Sequence, residues 1–239
     1  SLSTDAAGTT ALNAGTVNTT GAQSFGDAVT LGANTTLTGA AITLASTVVS
    51  DGTSRSLTIN DSDTTILGAA IGGTTSTQAL SSLSTDAAGT TALNAGTVNT
   101  TGAQTYADNL TLGADTTLAA SSVTSLGTVV GNAKALSITG NAVFGDASAD
   151  SLTGLSSLAV SGTTLLNTDT VTSTGTQTYG GALSLAENTT LTGSTVSTQG
   201  TLNGGAKALT ITGNAVLGNS ADDTASNLSS VSVSGITGI

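Results

Sequence analysis

Residues 1–23 read SLSTDAAGTTALNAGTVNTTGAQ, and residues 82–104 repeat them without one change. A looser third copy, LAVSGTTLLNTDTVTSTGTQ, runs from Leu158 to Gln177. The chain is therefore a tandem array, and an array is read as repeated supersecondary units before any single motif is weighed.

Outward from that stretch the copies stay in step. Phe25, Tyr106 and Tyr179 match, then Leu31, Leu112 and Leu185, then Leu37, Leu118 and Leu191. Leu57-x-Ile59, Leu136-x-Ile138 and Leu209-x-Ile211 follow. The period is 81 residues from Gln23 to Gln104 and 73 from Gln104 to Gln177. The missing residues come from the turn SDGTSR and from the Gly/Thr-rich segment after Ile59. Loops tolerate such losses and packed strands do not. The long repeats are therefore 1–81, 82–157 and 158–230, with the start of a fourth at 231–239, all in one domain.

Within each repeat, apolar residues alternate with Thr and Ser in short sets, as in Val29-x-Leu31, Leu183-x-Leu185 and Val231-x-Val233. Alternation at period two marks strands, and Thr suits a pleated surface. Strands this short bury too little as isolated hairpins. They predict an all-β chain, a right-handed parallel β-helix (β-solenoid). It has three short strands per rung, about 18–20 residues per rung and four rungs per long repeat. Roughly 12 rungs at ~4.8 Å each would make a rod of about 55–60 Å. Right-handedness is preferred because the strict six-residue pattern of left-handed coils is absent. The chain has no Pro, as expected where every strand is paired on both sides. A two-sheet sandwich is the alternative, and the verbatim repetition counts against it.

Composition narrows the function. Charged residues are 7% of the 239, with three cations and a net charge of −11. Phosphate recognition needs basic side chains, so nucleic acid is excluded as a partner, and anionic membranes are disfavoured on the same ground. No apolar run is long enough for membrane insertion as a helix. There is no Cys or His, which removes disulfides and the usual nucleophile–base pairs. The N-terminus lacks a signal peptide's basic and apolar regions, and the chain opens on the first position of a repeat. It is expected to be an internal piece of a longer protein.

The string TTGAQ(S/T)(F/Y), then (V/L)TLGA(N/D)TTL, then (K/R)(S/A)L(T/S)I covers essentially the whole chain. It resembles the repeat region of filamentous-haemagglutinin-like giant exoproteins of Gram-negative bacteria. The resemblance implies a right-handed β-helix stalk, export to the cell surface or beyond, and roles in attachment, aggregation or biofilm. The family's secretion domain is not among these residues.

Several residues were weighed as sites. Arg55, Lys134 and Lys207 each stand two residues before a matched Leu. They predict one edge of the rod with cations about four rungs, roughly 19 Å, apart. Such a row would suit lateral contact with acidic groups or an anionic glycan, and the preferred reading is solvated residues that discourage side-by-side pairing. Asp61, Asp63, Asp146, Asp150, Asp222 and Asp223 read as one matched acidic turn and are weak candidates for calcium. Calcium needs six or more oxygens, and the spacing differs among copies, so no metal or other cofactor is expected and a solvated turn is preferred. Asn34, Asp115 and Asn188 precede a shared Thr-Thr-Leu and suit left-handed turn geometry. Asn18, Asn99 and Asn188 open Asn-Thr-Thr triplets, expected by chance in a Thr-rich chain. Phe25, Tyr106 and Tyr179 would suit sugar stacking but are spaced too widely to share a ring, so packing is preferred.

The expectation is a non-catalytic stalk segment of a secreted adhesin or filament. Its partners would be further copies of the same repeat, in the same or neighbouring chains, and host or matrix glycans. The alternative is a subunit of a self-assembling extracellular fibre. A Thr array that binds ice ranks third, because the rungs vary in length. An enzyme such as a β-helix polysaccharide lyase or a paired-carboxylate hydrolase ranks last.

Overall fold

The computed structural model describes residues 1–238. The chain forms two compact units, Ser1–Ser122 and Val123–Ile239. The fold is a parallel β-solenoid of about 12 stacked turns, with no helix among the described residues.

In the first unit every third strand returns to the same face. Leu2–Thr4, Gln23–Phe25, Ile42–Leu44, Thr64–Leu67, Thr90–Leu93 and Asn109–Leu112 pair in succession as the first face. Thr9–Leu12, Ala28–Leu31 and Val48–Ser50 begin the second, which continues through bridges from Val48 to Ile71 and from Ile71 to Val98. Thr16–Asn18, Thr35–Gly39, Ser56–Asp61, Ser82–Thr85 and Gln104–Tyr106 make the third. Inward files run along these registers: Phe25, Leu44, Leu67, Leu93 and Leu112 stack on the first face, all buried. Each fully buried Leu contributes about 1.5–3 kcal/mol.

The second unit is built alike. On one face Thr170–Ser173 pairs with residues 189–192, these with 209–212, and these with 231–233, stacking Val171, Leu191, Ile211 and Val233. Thr170, Thr190 and Thr210 form one outward file there, and Thr172, Thr192 and Thr212 a second. Hydroxyls lie outside and aliphatic groups inside, as the alternation requires.

The turn length is 19 residues at its regular value, as from Gln23 to Ile42 and from Leu158 to Gln177. It reaches 26 from Thr65 to Thr91. There the second-face strand shrinks to the Ile71 bridge, and the chain makes a polar excursion closed by Gln78 and Ala79 donating N–H bonds to the Thr75 carbonyl. This is the Gly/Thr-rich segment whose length varies between copies.

A long repeat is not four turns. From Leu2–Thr4 to Ser82–Thr85 the chain passes eleven strand positions, ten strands and the Ile71 bridge, or three and two-thirds turns. The identical sequences at 1–23 and 82–104 therefore lie on different faces. Leu2–Thr4 is on the first face and Ser82–Thr85 on the third. Thr9–Leu12 is on the second face, while its twin Thr90–Leu93 is on the first. Sequence periodicity counts strands, and nothing in it requires their number to be a multiple of three.

Candidate functional site

The most ordered polar arrangement lies inside the coil. Gln23, Gln104 and Gln177 point inward and are at most 1% exposed. Each Nε2 donates to two backbone carbonyls six residues before and fifteen after: Val98 and Ala119 for Gln104 (3.1 and 3.0 Å), Val171 and Thr192 for Gln177 (3.2 and 2.8 Å), Val17 and Thr38 for Gln23 (3.1 and 2.7 Å). Two acceptors fix which end of the amide is nitrogen. Oε1 then faces the aromatic two residues on, and Tyr106 and Tyr179 each donate their hydroxyl to it at 3.0 Å. Phe25 has no hydroxyl, and Gln23 Oε1 is left buried without a donor. All three aromatics are fully buried, so they pack the core and present no face to a sugar. Burial raises both phenols above the usual range. The recurring Gln-x-aromatic spacing in the sequence was the signal for this network.

A second motif binds turn to turn. Asp27 accepts hydrogen bonds from the hydroxyls of Thr4 (2.7 Å) and Thr10 (2.9 Å), and Asp108 from Thr85 (2.8 Å) and Thr91 (2.8 Å). The two carboxyls shift in opposite directions. The Thr4 hydrogen bond leads in holding Asp27 below its ordinary value, whereas burial leads in raising Asp108. Thr85 and Thr91 are themselves buried, while Thr4 and Thr10 are half-buried. In the third copy Gly181 replaces the Asp and Val160 the first Thr, and the remaining Thr164 hydroxyl is buried with no partner.

The six acidic residues do not share one turn. Asp150 caps its own loop by accepting from the N–H groups of Asp146 and Ala147, both at 3.0 Å. Asp223 does the same for Asn219 and Ser220 at 2.9 and 3.1 Å, led by the Asn219 bond that lowers its pKa. Asp222 and Asp63 are exposed. Asp61 differs from all of these. It ends Ser56–Asp61 facing inward in step with Leu57 and Ile59, is 2% exposed, and neither carboxylate oxygen has a donor. Burial first, then the charges of Asp86, Asp108 and Asp63, push its pKa up to about 6 against the Thr65 hydroxyl's pull. The alternation Leu57-x-Ile59-x-Asp61 already placed it inward. Among the described residues no three carboxylates group closely enough to hold a metal unaided.

Lys134 and Lys207 do not form a file. In the second unit Lys134 stands before residues 135–138, which pair with Ser157–Val160. Lys207 precedes 209–212, which pair with 189–192 on another face. Lys207 lies 3.9 Å from Glu187. In the first unit Arg55 holds Asp51 through two bonds of 3.1 and 3.0 Å. The four-turn repeat placed matched positions on one edge, whereas Lys134 and Lys207 stand at different faces of the second unit.

Asn34 and Asn188 are structural, by another route than left-handed backbone. Their Oδ1 atoms accept the N–H of Ser56 and Ala208 in the next turn, at 3.0 and 2.9 Å. Asn141 and Asn214 hold Thr163 and Ile236 likewise. Among the described residues the left-handed non-glycine positions are Asn132, Ala133, Ala206 and Asn227. Asn99 donates to the Gly73 carbonyl.

Compared with protein-family models, with curated proteins and with solved structures, the chain found no match in any of the three.

Proposed function

We propose that the chain is a structural stalk segment of a secreted bacterial surface adhesin or filament, acting outside the cell and without catalysis. The observation that carries this reading is the placement of one 23-residue sequence on different faces of the coil. A binding or catalytic motif needs its neighbours fixed around it, whereas a motif that only closes a turn works on any face. The polar networks agree, since Gln104 and Asp108 within the coil and Asn188 on its surface direct their polar groups to other turns of the same coil. The resemblance of the repeats to filamentous-haemagglutinin-like exoproteins supports the location, and glycans or further copies of the repeat are the partners it suggests.

Sedimentation and electron microscopy of the purified chain test the reading. A stalk segment sediments as a single elongated species and stays so as concentration rises. Growth into filaments would replace this reading with that of a self-assembling fibre subunit.

A further inference from the structure

The inward Asp61 has no counterpart in the other copies. Where copy one has Asp61 and Thr65, the later copies have Gly140 with Ala142 and Gly213 with Ala215. The Thr65 hydroxyl is also fully buried and without a partner. Two polar side chains were thus introduced at one corner of one copy; the Thr65 hydroxyl stands near enough to pull the Asp61 pKa down, yet neither side chain makes a hydrogen bond of normal geometry.

Nearby donors are already committed. The hydroxyls of Thr85 and Thr91, one turn on, are given to Asp108. The backbone N–H of Asp61 goes to Asp86 Oδ1 at 3.3 Å, and the Asp86 charge is among those that raise the Asp61 pKa. Arg55, the one cation of this unit, is held by Asp51. A buried carboxylate without a partner is strongly disfavoured unless it gains a proton or a positive charge.

We propose that the corner formed by Asp61, Thr65 and Asp86 binds a small hard divalent cation of the calcium type. The groups of these three side chains are all oxygens, from two carboxylates and a hydroxyl, which suit calcium rather than a softer metal. With so few carboxylates the affinity falls at the weak end for such sites, about 10⁻⁴–10⁻³ M.

The test uses the full chain, freed of metal with EDTA and exchanged into chelator-free buffer. Calcium chloride is titrated by calorimetry, and urea unfolding is followed with and without saturating calcium. The wild type is expected to bind and to unfold at higher urea with calcium. Asp61→Asn is expected to lose both effects while remaining folded without metal. Thr65→Ala, which installs the residue of the other copies, is expected to bind several-fold more weakly. An unchanged urea midpoint in the wild type would overturn the proposal and leave a buried water at the corner. Calcium binding that persists undiminished in Asp61→Asn, or in Thr65→Ala, would move the ion elsewhere and equally overturn it.

Discussion

Tyr106→Phe removes one oxygen from the centre of the coil. The Gln104 amide cannot respond by turning over, because its Nε2 already donates to the Val98 and Ala119 carbonyls and an oxygen in its place would face two acceptors. Gln104 Oε1 would be left as Gln23 Oε1 is beside Phe25, buried and without a donor. An unsatisfied buried acceptor costs about 1–3 kcal/mol, and a new hydrogen bond contributes about 0.5–1.5 kcal/mol. Tyr106→Phe is therefore expected to destabilise the coil by about 1–3 kcal/mol. Phe25→Tyr supplies the hydroxyl that the other copies have and is expected to stabilise it by about 0.5–1.5 kcal/mol. The measurement is urea unfolding followed by far-ultraviolet circular dichroism, with slopes compared so that only midpoint shifts at constant slope are counted. A Tyr106→Phe chain as stable as the wild type, or a Phe25→Tyr chain that is less stable, would refute the account of the glutamine.

Four further outcomes follow from the same geometry. Thr164→Val removes a buried hydroxyl that has lost its carboxylate, and should raise the unfolding free energy by about 1 kcal/mol. Gly181→Asp, by contrast, should not restore the lost pair, because a Cβ there would sit 2.6 Å from the Gly162 carbonyl oxygen; a loss of stability by urea unfolding is expected. Gly213→Ala combines a φ of +128° with a Cβ directed at the Gly193 carbonyl oxygen, and the unfolding free energy measured in urea should fall by several kcal/mol or the chain should fail to fold. The two phenols are raised by burial, so they stabilise the fold below their unfolded value of about 10, and that stability is lost as pH rises past it. Phenolate absorbance should therefore appear together with loss of the β circular-dichroism signal, and a tyrosine that ionises in the intact coil would contradict its placement.

The coil itself was legible because two signals agree. Alternation such as Leu57-x-Ile59 sets the strand, and the absence of Pro permits pairing on both sides. The inward aromatics and the variable loop near residues 68–80 could be read in the same way. The repeat's angular step could not, because it depends on whether the segment around Ile71 counts as a strand, and a one-residue bridge leaves almost no periodic trace. Four turns of three would need twelve strand positions where eleven are present, and that shortfall of one moves each matched strand of the next copy by one face. The acidic residues were grouped by proximity in sequence, yet alternation separates inward Asp61 from the loop-capping Asp150 and Asp223. Buried glutamines were not anticipated at all, since an amide in an aliphatic core is favourable only with partners, and these are carbonyls six residues before and fifteen after that alternation does not reveal.

The eleven-strand repeat also bears on how such a chain can change over generations. A three-sided coil whose copying unit is not a whole number of turns must accept any strand on any side. The two identical stretches of the first unit meet that condition, since each is housed with different neighbours and both remain folded in register. Gene segments can then be gained or lost by unequal crossing-over at many points, and each product re-enters the winding without realignment of its sides. The same freedom works against inheriting a ligand site by duplication, because a copied surface arrives facing another way. Polar novelty is retained most readily within the tube, and the unduplicated pair Asp61 and Thr65 is found there.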